Sequence, residues 1–147
     1  MRFWDSSAVI PLCLDQRPSA ALARLAAEGA GIVVWWGTAV ECGSAFARLR
    51  RSGQIDQRGE GQALDLLGGL SSRWTEVAPG RDAQRMALRL VRLHSLRAAD
   101  ALQLAAALLW KEGRPAGAGF VSLDRRLREA AGIEGFTPLP ARLPDLP

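Results

Sequence analysis

Five consecutive apolar residues, Ile-Val-Val-Trp-Trp at 32–36, limit the possible folds of this chain more than any other feature. The run has the length of a strand and carries no charged residue, which is typical of a strand buried on both faces. Such strands belong to parallel sheets that are covered by helices on each side. A segment with helical spacing follows from Thr38 onward. The run therefore predicts an α/β fold with a mainly parallel sheet.

Strand and helix patterns alternate along the rest of the chain. We predict strands at 2–5, 32–36, 74–77, 120–123 and 136–139. We predict helices that begin at Ser6 or Ser7, with one of these serines as the cap, and at 18–28, 38–51, 57–70, 81–94, 98–111 and 125–131. Pro138 restricts the last strand to an edge of the sheet, because proline has no N–H to donate to a neighbour. This alternation indicates an α/β domain.

The length and composition fit one domain. A chain of 147 residues that is 48% hydrophobic can bury a single core, which we expect at about 2–137, with an extended tail at 138–147. Cys13 and Cys42 are too few for a disulfide framework or a thiolate zinc site, and we expect both to be buried. No apolar run approaches the ~20 residues of a membrane span. We therefore expect a cytoplasmic protein that does not enter membranes.

The basic residues are almost all arginine. Of the 19 basic residues only Lys111 is a lysine, and the net charge is +4. Arginine binds phosphate with two parallel hydrogen bonds, so the composition is compatible with a nucleic-acid partner, and codon bias is the alternative explanation. The one histidine, His94, is expected at the surface near a helix end. A single histidine leaves little room for mechanisms that depend on a histidine base.

Four acidic residues stand out by their position. Asp5 ends the first strand, Glu41 lies in the first turn of the helix after the second strand, and Asp124 directly follows strand 120–123. Asp100 is the only acid in an otherwise apolar helical segment, where a charge is costly unless it is paired, bound to a cation or placed at the rim. Ligands of α/β sheets bind at the carboxyl ends of the strands. Strand-end geometry allows Asp5, Glu41 and Asp124 to meet at that edge, and packing of its helix can bring Asp100 to join them.

Four carboxylates without a nearby lysine or histidine repel one another, and a hard divalent cation removes this repulsion. Mg²⁺ and Mn²⁺ prefer oxygen ligands, and bound ions of this kind support hydrolysis of phosphodiester bonds by water. Structural interpretations stay open beside this one. Asp5 and Asp124 can each cap a helix, and Glu41 can form a capping box with Thr38.

Two groups of arginines are candidates for binding phosphate or an acidic protein segment. One is a stripe of a single sign along one face of the helix at 81–94, and the other follows Asp124 directly. An ordinary solvated face is the alternative for the stripe. The residues are Arg81, Arg85, Arg89 and Arg92 in the stripe, and Arg125, Arg126 and Arg128 after Asp124. Trp35 and Trp36 either pack in the core or stack on a base.

Four segments together resemble the PIN domain, and within it the VapC-type toxins of bacterial toxin–antitoxin pairs. They are FWDSSA at 3–8, TAVECGSA at 38–45, LRAADALQLAAA at 96–107 and VSLDRRL at 121–127. The resemblance extends over about residues 2–137. It implies a Rossmann-like three-layer α/β/α sandwich with a short, mainly parallel sheet. It also implies a homodimeric endoribonuclease that depends on Mg²⁺ or Mn²⁺ and is inhibited by a small antitoxin protein.

The resemblance also implies roles for single residues. Asp5 and Asp100 would be the principal metal ligands, and Glu41 and Asp124 would complete the acidic pocket, directly or through water. Ser6 and Thr38 match polar positions beside the pocket.

Other functions are compatible with parts of the pattern. Phosphatases of the haloacid dehalogenase type need a second acid two residues after the first, and this chain has Ser7 there. Receiver domains of response regulators need a lysine after a late strand, whereas Lys111 lies at a helix end. A catalytically silent PIN-like module that binds RNA or protein is the remaining alternative.

Overall fold

The fold is an α/β sandwich built on one sheet of five parallel strands. The computed structural model describes residues 1–15 and 19–143, so the predicted helix start at 18 and the last four residues of the predicted tail lie outside the described residues. The strands are β1 (Arg2–Trp4), β2 (Ile32–Trp35), β3 (Thr75–Val77), β4 (Gly119–Val121) and β5 (Thr137–Leu139). The helices are α1 (Ser6–Cys13), α2 (Ser19–Ala27), α3 (Thr38–Arg51), α4 (Gln57–Ser71), α5 (Arg81–Leu93), α6 (Ala98–Trp110) and α7 (Arg125–Ile133).

The strand order is β3-β2-β1-β4-β5, and every neighbouring pair is parallel. Phe3 of β1 is aligned with Val33 of β2 on one side and with Phe120 of β4 on the other. β1 is therefore the central strand. β5 forms one edge, as Pro138 predicts.

Successive side chains of the strands point to opposite faces and build two separate cores. Phe3 and Phe120, whose rings stack at 5.3 Å, pack with residues of α5, α6 and α7. Trp4 and Val121, the next residues along the same strands, pack with residues of α1, α2, α3 and α4. The sheet is thus covered on both sides, which confirms the predicted three-layer α/β/α architecture.

The two tryptophans at the end of β2 lie in different environments, one in the core and one at the surface. Trp35 is buried, with 7% of its surface exposed, and belongs to the core on the α5–α7 side. Trp36 lies just beyond the strand and is 53% exposed. The core interpretation therefore holds for Trp35 and not for Trp36. None of the helices in the described part of the chain is both long and apolar enough to span a bilayer.

The face of α5 that carries the arginine stripe is less uniformly positive than the sequence indicates. Glu134, directly after α7, accepts hydrogen bonds from both terminal nitrogens of Arg89 at 3.2 Å. It also lies 2.8 Å from Nε2 of His94. Asp82 approaches Arg85 at 3.8 Å, while Arg81 and Arg92 are exposed.

His94 is not the surface residue that we expected, because only 9% of its side chain is exposed. Burial works against ionisation of Glu134, but the hydrogen bonds from His94 and Arg89 outweigh it and hold the pKa of Glu134 below its ordinary value. The bonds of Glu134 to Arg89 and His94 thus join the end of α5 to the end of α7.

Replacing Glu134 with alanine should destabilise the fold by about 1–3 kcal/mol at pH 7, because His94 and Arg89 lose their acceptor. Urea unfolding measures the loss, and Glu129→Ala, on the exposed face of α7, is the matched control. A group with a lowered pKa stabilises the fold above its ordinary value of 4.5 and loses that effect as the pH falls through its folded value. The difference between the two variants should therefore shrink below about pH 4.5, and equal stabilities at pH 7 would contradict the role of Glu134.

Candidate functional site

The candidate site lies at the carboxyl edge of the sheet, where the chain leaves β1 between β2 and β4. Ligands of open parallel sheets bind where neighbouring strands connect in opposite directions, and β1 is at that point here. The four buried polar residues of the described chain all lie at this edge: Asp5, Thr38, Gln103 and Ser122. We call this group, together with Glu41, Asp100 and Asp124, the acidic site.

Asp5 is the most buried acid of the site, with 3% of its surface exposed. Its Oδ1 accepts a hydrogen bond from Oγ of Ser7 at 2.8 Å, and its Oδ2 accepts one from the Ser7 backbone N–H at 3.2 Å. Asp5 is therefore the N-cap of α1, and the expectation that Ser6 or Ser7 is the cap is wrong. Burial and, to a smaller extent, the nearby charge of Asp100 raise the pKa of Asp5 to about 7, against the hydrogen bonds from Ser7 and Ser122 that lower it.

Two serines, absent from the sequence prediction of the site, join the ends of β1 and β4. Ser7 Oγ accepts a hydrogen bond from the backbone N–H of Leu123 at 2.8 Å and lies 3.4 Å from Ser122 Oγ. Ser122 Oγ in turn accepts one from the backbone N–H of Asp124 at 3.1 Å. Each serine lies two residues from an acid in a segment that carries the family resemblance, which is a signal that could have found them.

Glu41 does not form the predicted capping box, since Gly37 is the N-cap of α3 and provides no side-chain bond. Its Oε2 accepts a hydrogen bond from Ser6 Oγ at 2.8 Å, and its Oε1 accepts one from Gln103 Nε2 at 3.2 Å. Gln103 also donates to Thr38 Oγ1 at 3.2 Å. Both predicted polar positions, Ser6 and Thr38, are thus part of the network around Glu41.

Asp124 caps a helix, which confirms the structural role that its sequence position also allows. Its Oδ1 accepts a hydrogen bond from the backbone N–H of Leu127 at 2.8 Å at the start of α7. One oxygen of this carboxylate is therefore used by the fold.

Asp100 lies half-buried in the first turn of α6, where the helix dipole favours a negative charge. Unlike the other three acids, it has no hydrogen-bond or ion-pair partner among the described residues. Burial raises its pKa, and the charges of Asp124 and Glu41 raise it further, while Arg97 opposes them. Asp100 also raises the pKa of Asp5. The Asp100 carboxylate therefore interacts electrostatically with each of the other three acids.

The donor atoms of the site fit a hard cation only if the cation keeps several of its water ligands. Within residues 1–15 and 19–143, no three histidine, cysteine, aspartate or glutamate side chains form a group that could hold a metal ion by themselves. Mg²⁺ commonly binds through one or two carboxylates and keeps several waters, so it does not require such a group. Asp100, which has no hydrogen-bond or ion-pair partner among the described residues, offers carboxylate oxygens that suit such a hydrated ion.

The rim of the site carries positive charge. Arg97, which the sequence analysis missed, precedes α6 and is close enough to Asp100 to lower its pKa. Arg125 and Arg126 are exposed in the first turn of α7. Arg128 is partly engaged within the protein, because its guanidinium donates to the backbone oxygens of Ser122 at 2.9 Å and Pro140 at 2.7 Å, whereas Arg125 and Arg126 have no such bonds among the described residues.

A separate groove of about 580 Å³ lies between the end of α1 and helices α3 and α4, lined by Leu14, Leu49, Ile55 and Leu66 among others. None of the four acids lines it. The groove is thus separate from the acidic site.

Comparison with known proteins assigns no family to the chain. No protein-family model matches it, and no curated protein matches it.

Asp5→Asn should stabilise the metal-free protein at pH 8, by up to about 4 kcal/mol, because it removes a buried charge. Between about pH 4 and pH 7 folded Asp5 keeps a proton that the unfolded chain has released, so this residue lowers stability as the pH rises through that range. Thermal unfolding at pH 5 and pH 8 in excess chelator should show a gain from the substitution at pH 8 that is smaller at pH 5. Asp65→Asn, an exposed acid of α4, serves as the control. Equal gains at both pH values would mean that Asp5 is ionised throughout.

Proposed function

We propose that this protein is a PIN-type endoribonuclease that hydrolyses RNA phosphodiester bonds with Mg²⁺ or Mn²⁺. The observation that carries the proposal is the Asp100 carboxylate. It has no hydrogen-bond or ion-pair partner among the described residues, and it interacts electrostatically with the three other acids at the edge of the sheet where ligands bind. A bound cation would offset the repulsion that these neighbouring carboxylates exert on Asp100.

Each acid contributes differently to the proposed reaction. Asp5 and Asp100 would hold the cation, which would supply Lewis-acid activation of the phosphate and of a water molecule. Glu41 is fixed by donors at both oxygens, from Ser6 and Gln103, and can orient a water molecule. Asp124 adds negative charge close to Asp100 while it caps α7. Histidine is not required, and His94 is bonded to Glu134 instead.

Asp100→Asn should reduce RNA cleavage by at least about a hundredfold without unfolding the protein, because the unengaged ligand is lost and several kcal/mol of transition-state stabilisation go with it. A cleavage assay on total RNA, with Mg²⁺ and with excess chelator, measures this. The same change in an exposed acid of α5, Asp82→Asn, is the matched control and should leave cleavage unchanged.

Full cleavage by Asp100→Asn, or by the wild type in chelator, would overturn the proposed mechanism. RNA that binds to the wild type but stays intact under all metal conditions would instead identify the chain as a silent RNA-binding module.

Arg125 and Arg126 are exposed and directly follow Asp124 in the chain, and we propose that they contact RNA phosphates. Replacing both with alanine should weaken RNA binding and reduce the slope of log K against log salt by about 1.4, since each lost contact to a single strand contributes about 0.7. Fluorescence titration across a salt series measures the slope. Arg24→Ala with Arg114→Ala removes two exposed charges near the opposite edge of the sheet and should leave the slope unchanged. An unchanged slope in the Arg125 and Arg126 variant would exclude these contacts.

The biological role that we propose is that of the toxin in a type II toxin–antitoxin pair, acting in the cytoplasm as a homodimer and inhibited by a small antitoxin protein. The supporting observations are the four motif segments at the site and exposed apolar side chains that suit protein partners, including Leu88 and Val91 on α5. Arrest of growth on expression of the chain alone, relieved by Asp100→Asn, would support this role.

A further inference from the structure

Gln103 is the feature of the site that neither helix formation nor packing explains. It is fully buried in α6, between Leu102 and Leu104, in a helix whose other buried residues are all alanine or leucine. A carboxamide in such a place is costly unless each of its polar atoms has a partner.

The partners of Gln103 fix the orientation of its carboxamide. Nε2 lies 3.2 Å from Glu41 Oε1 and 3.2 Å from Thr38 Oγ1, which uses both N–H donors. An ionised carboxylate only accepts hydrogen bonds, so the nitrogen of the amide must face Glu41. The carbonyl oxygen, Oε1, is then buried without a hydrogen-bond partner. An unsatisfied buried acceptor of this kind costs stability, so the orientation of the carboxamide is set by its two donor bonds and not by its oxygen.

Glu41 itself is held from two sides by different elements. Ser6, the first residue of α1, donates to one oxygen, and Gln103 of α6 donates to the other. Its carboxylate therefore has one orientation, and Asp100 lies one turn before Gln103 on the same helix.

We propose that Gln103 is a positioning residue for divalent-cation binding: its Nε2, which also donates to Thr38, holds the Glu41 carboxylate in the orientation that the cation requires. This inference rests on the proposed metal dependence and goes beyond it. It assigns a ligand-orienting role to an uncharged residue outside the set of four acids.

The test is Mn²⁺ binding followed by electron paramagnetic resonance, together with thermal unfolding in chelator. Gln103→Met keeps the volume of the side chain and removes both polar atoms. We expect it to weaken Mn²⁺ binding about 5- to 20-fold while the metal-free melting temperature stays within a few degrees of the wild type, since the unsatisfied acceptor is removed as well. Gln84→Met, the same change at an exposed position of α5, is the control and should bind Mn²⁺ as the wild type does.

A double-mutant cycle separates positioning from a merely structural role. If Gln103 acts mainly through Glu41, most of the effect of Gln103→Met on Mn²⁺ affinity should disappear when Glu41 is already glutamine. Ser6→Ala removes the other donor to Glu41 from a half-buried position. It should weaken Mn²⁺ binding in the same way, and it provides the same test if Gln103→Met does not fold.

The outcomes distinguish this inference from the function on which it rests. Mn²⁺ binding that is lost in Asp100→Asn but unchanged in Gln103→Met and in Ser6→Ala would overturn the role of Gln103 and leave the proposed function intact. Equal losses from Gln103→Met with and without Glu41 would also overturn it. A wild type that binds no Mn²⁺ would overturn both.

Discussion

The buried charge of Asp5 is the constraint on which the rest of the site depends. This carboxylate stands at the end of the central strand with almost no contact to solvent, and its burial alone raises its pKa towards neutrality. Such a charge is tolerated only with donors around it, and Ser7 supplies two of them. The capping of α1 and the joining of β1 to β4 both follow from the same serine, because its hydroxyl also binds the backbone of Leu123.

The residues of the site are therefore also residues that cap helices and connect neighbouring elements of the fold. Asp5 and Asp124 begin helices, and Ser6 and Gln103 connect α1 and α6 to Glu41 of α3. Structural and functional interpretations of these residues do not exclude each other, because a carboxylate has two oxygens and can give one to a helix end. Asp100 differs because it has no hydrogen-bond or ion-pair partner among the described residues, and this makes it the most informative residue of the site.

Much of the fold and part of the site follow from sequence pattern, and the failures have physical causes. Apolar runs and helical spacing predict all five strands and the helices, with differences of a few residues at their ends. The capping box at Thr38 and Glu41 is wrong because both side chains have partners on other elements, Gln103 and Ser6, which local sequence does not contain. The same reason explains His94, whose burial depends on Glu134, 40 residues away.

The sequence by itself determined the parallel sheet, the edge position of β5 and the placement of three acids at strand ends. These features depend on the spacing of apolar residues, on Pro138 and on the order of residues along the chain. Only the tertiary structure decided that Asp100 joins those acids, that Arg89 and Arg128 are engaged within the protein, and that Gln103 is buried against Glu41. Each of these facts depends on how helices pack across the sheet. The distance between two side chains on different elements is set by that packing, and no local pattern of residues records it.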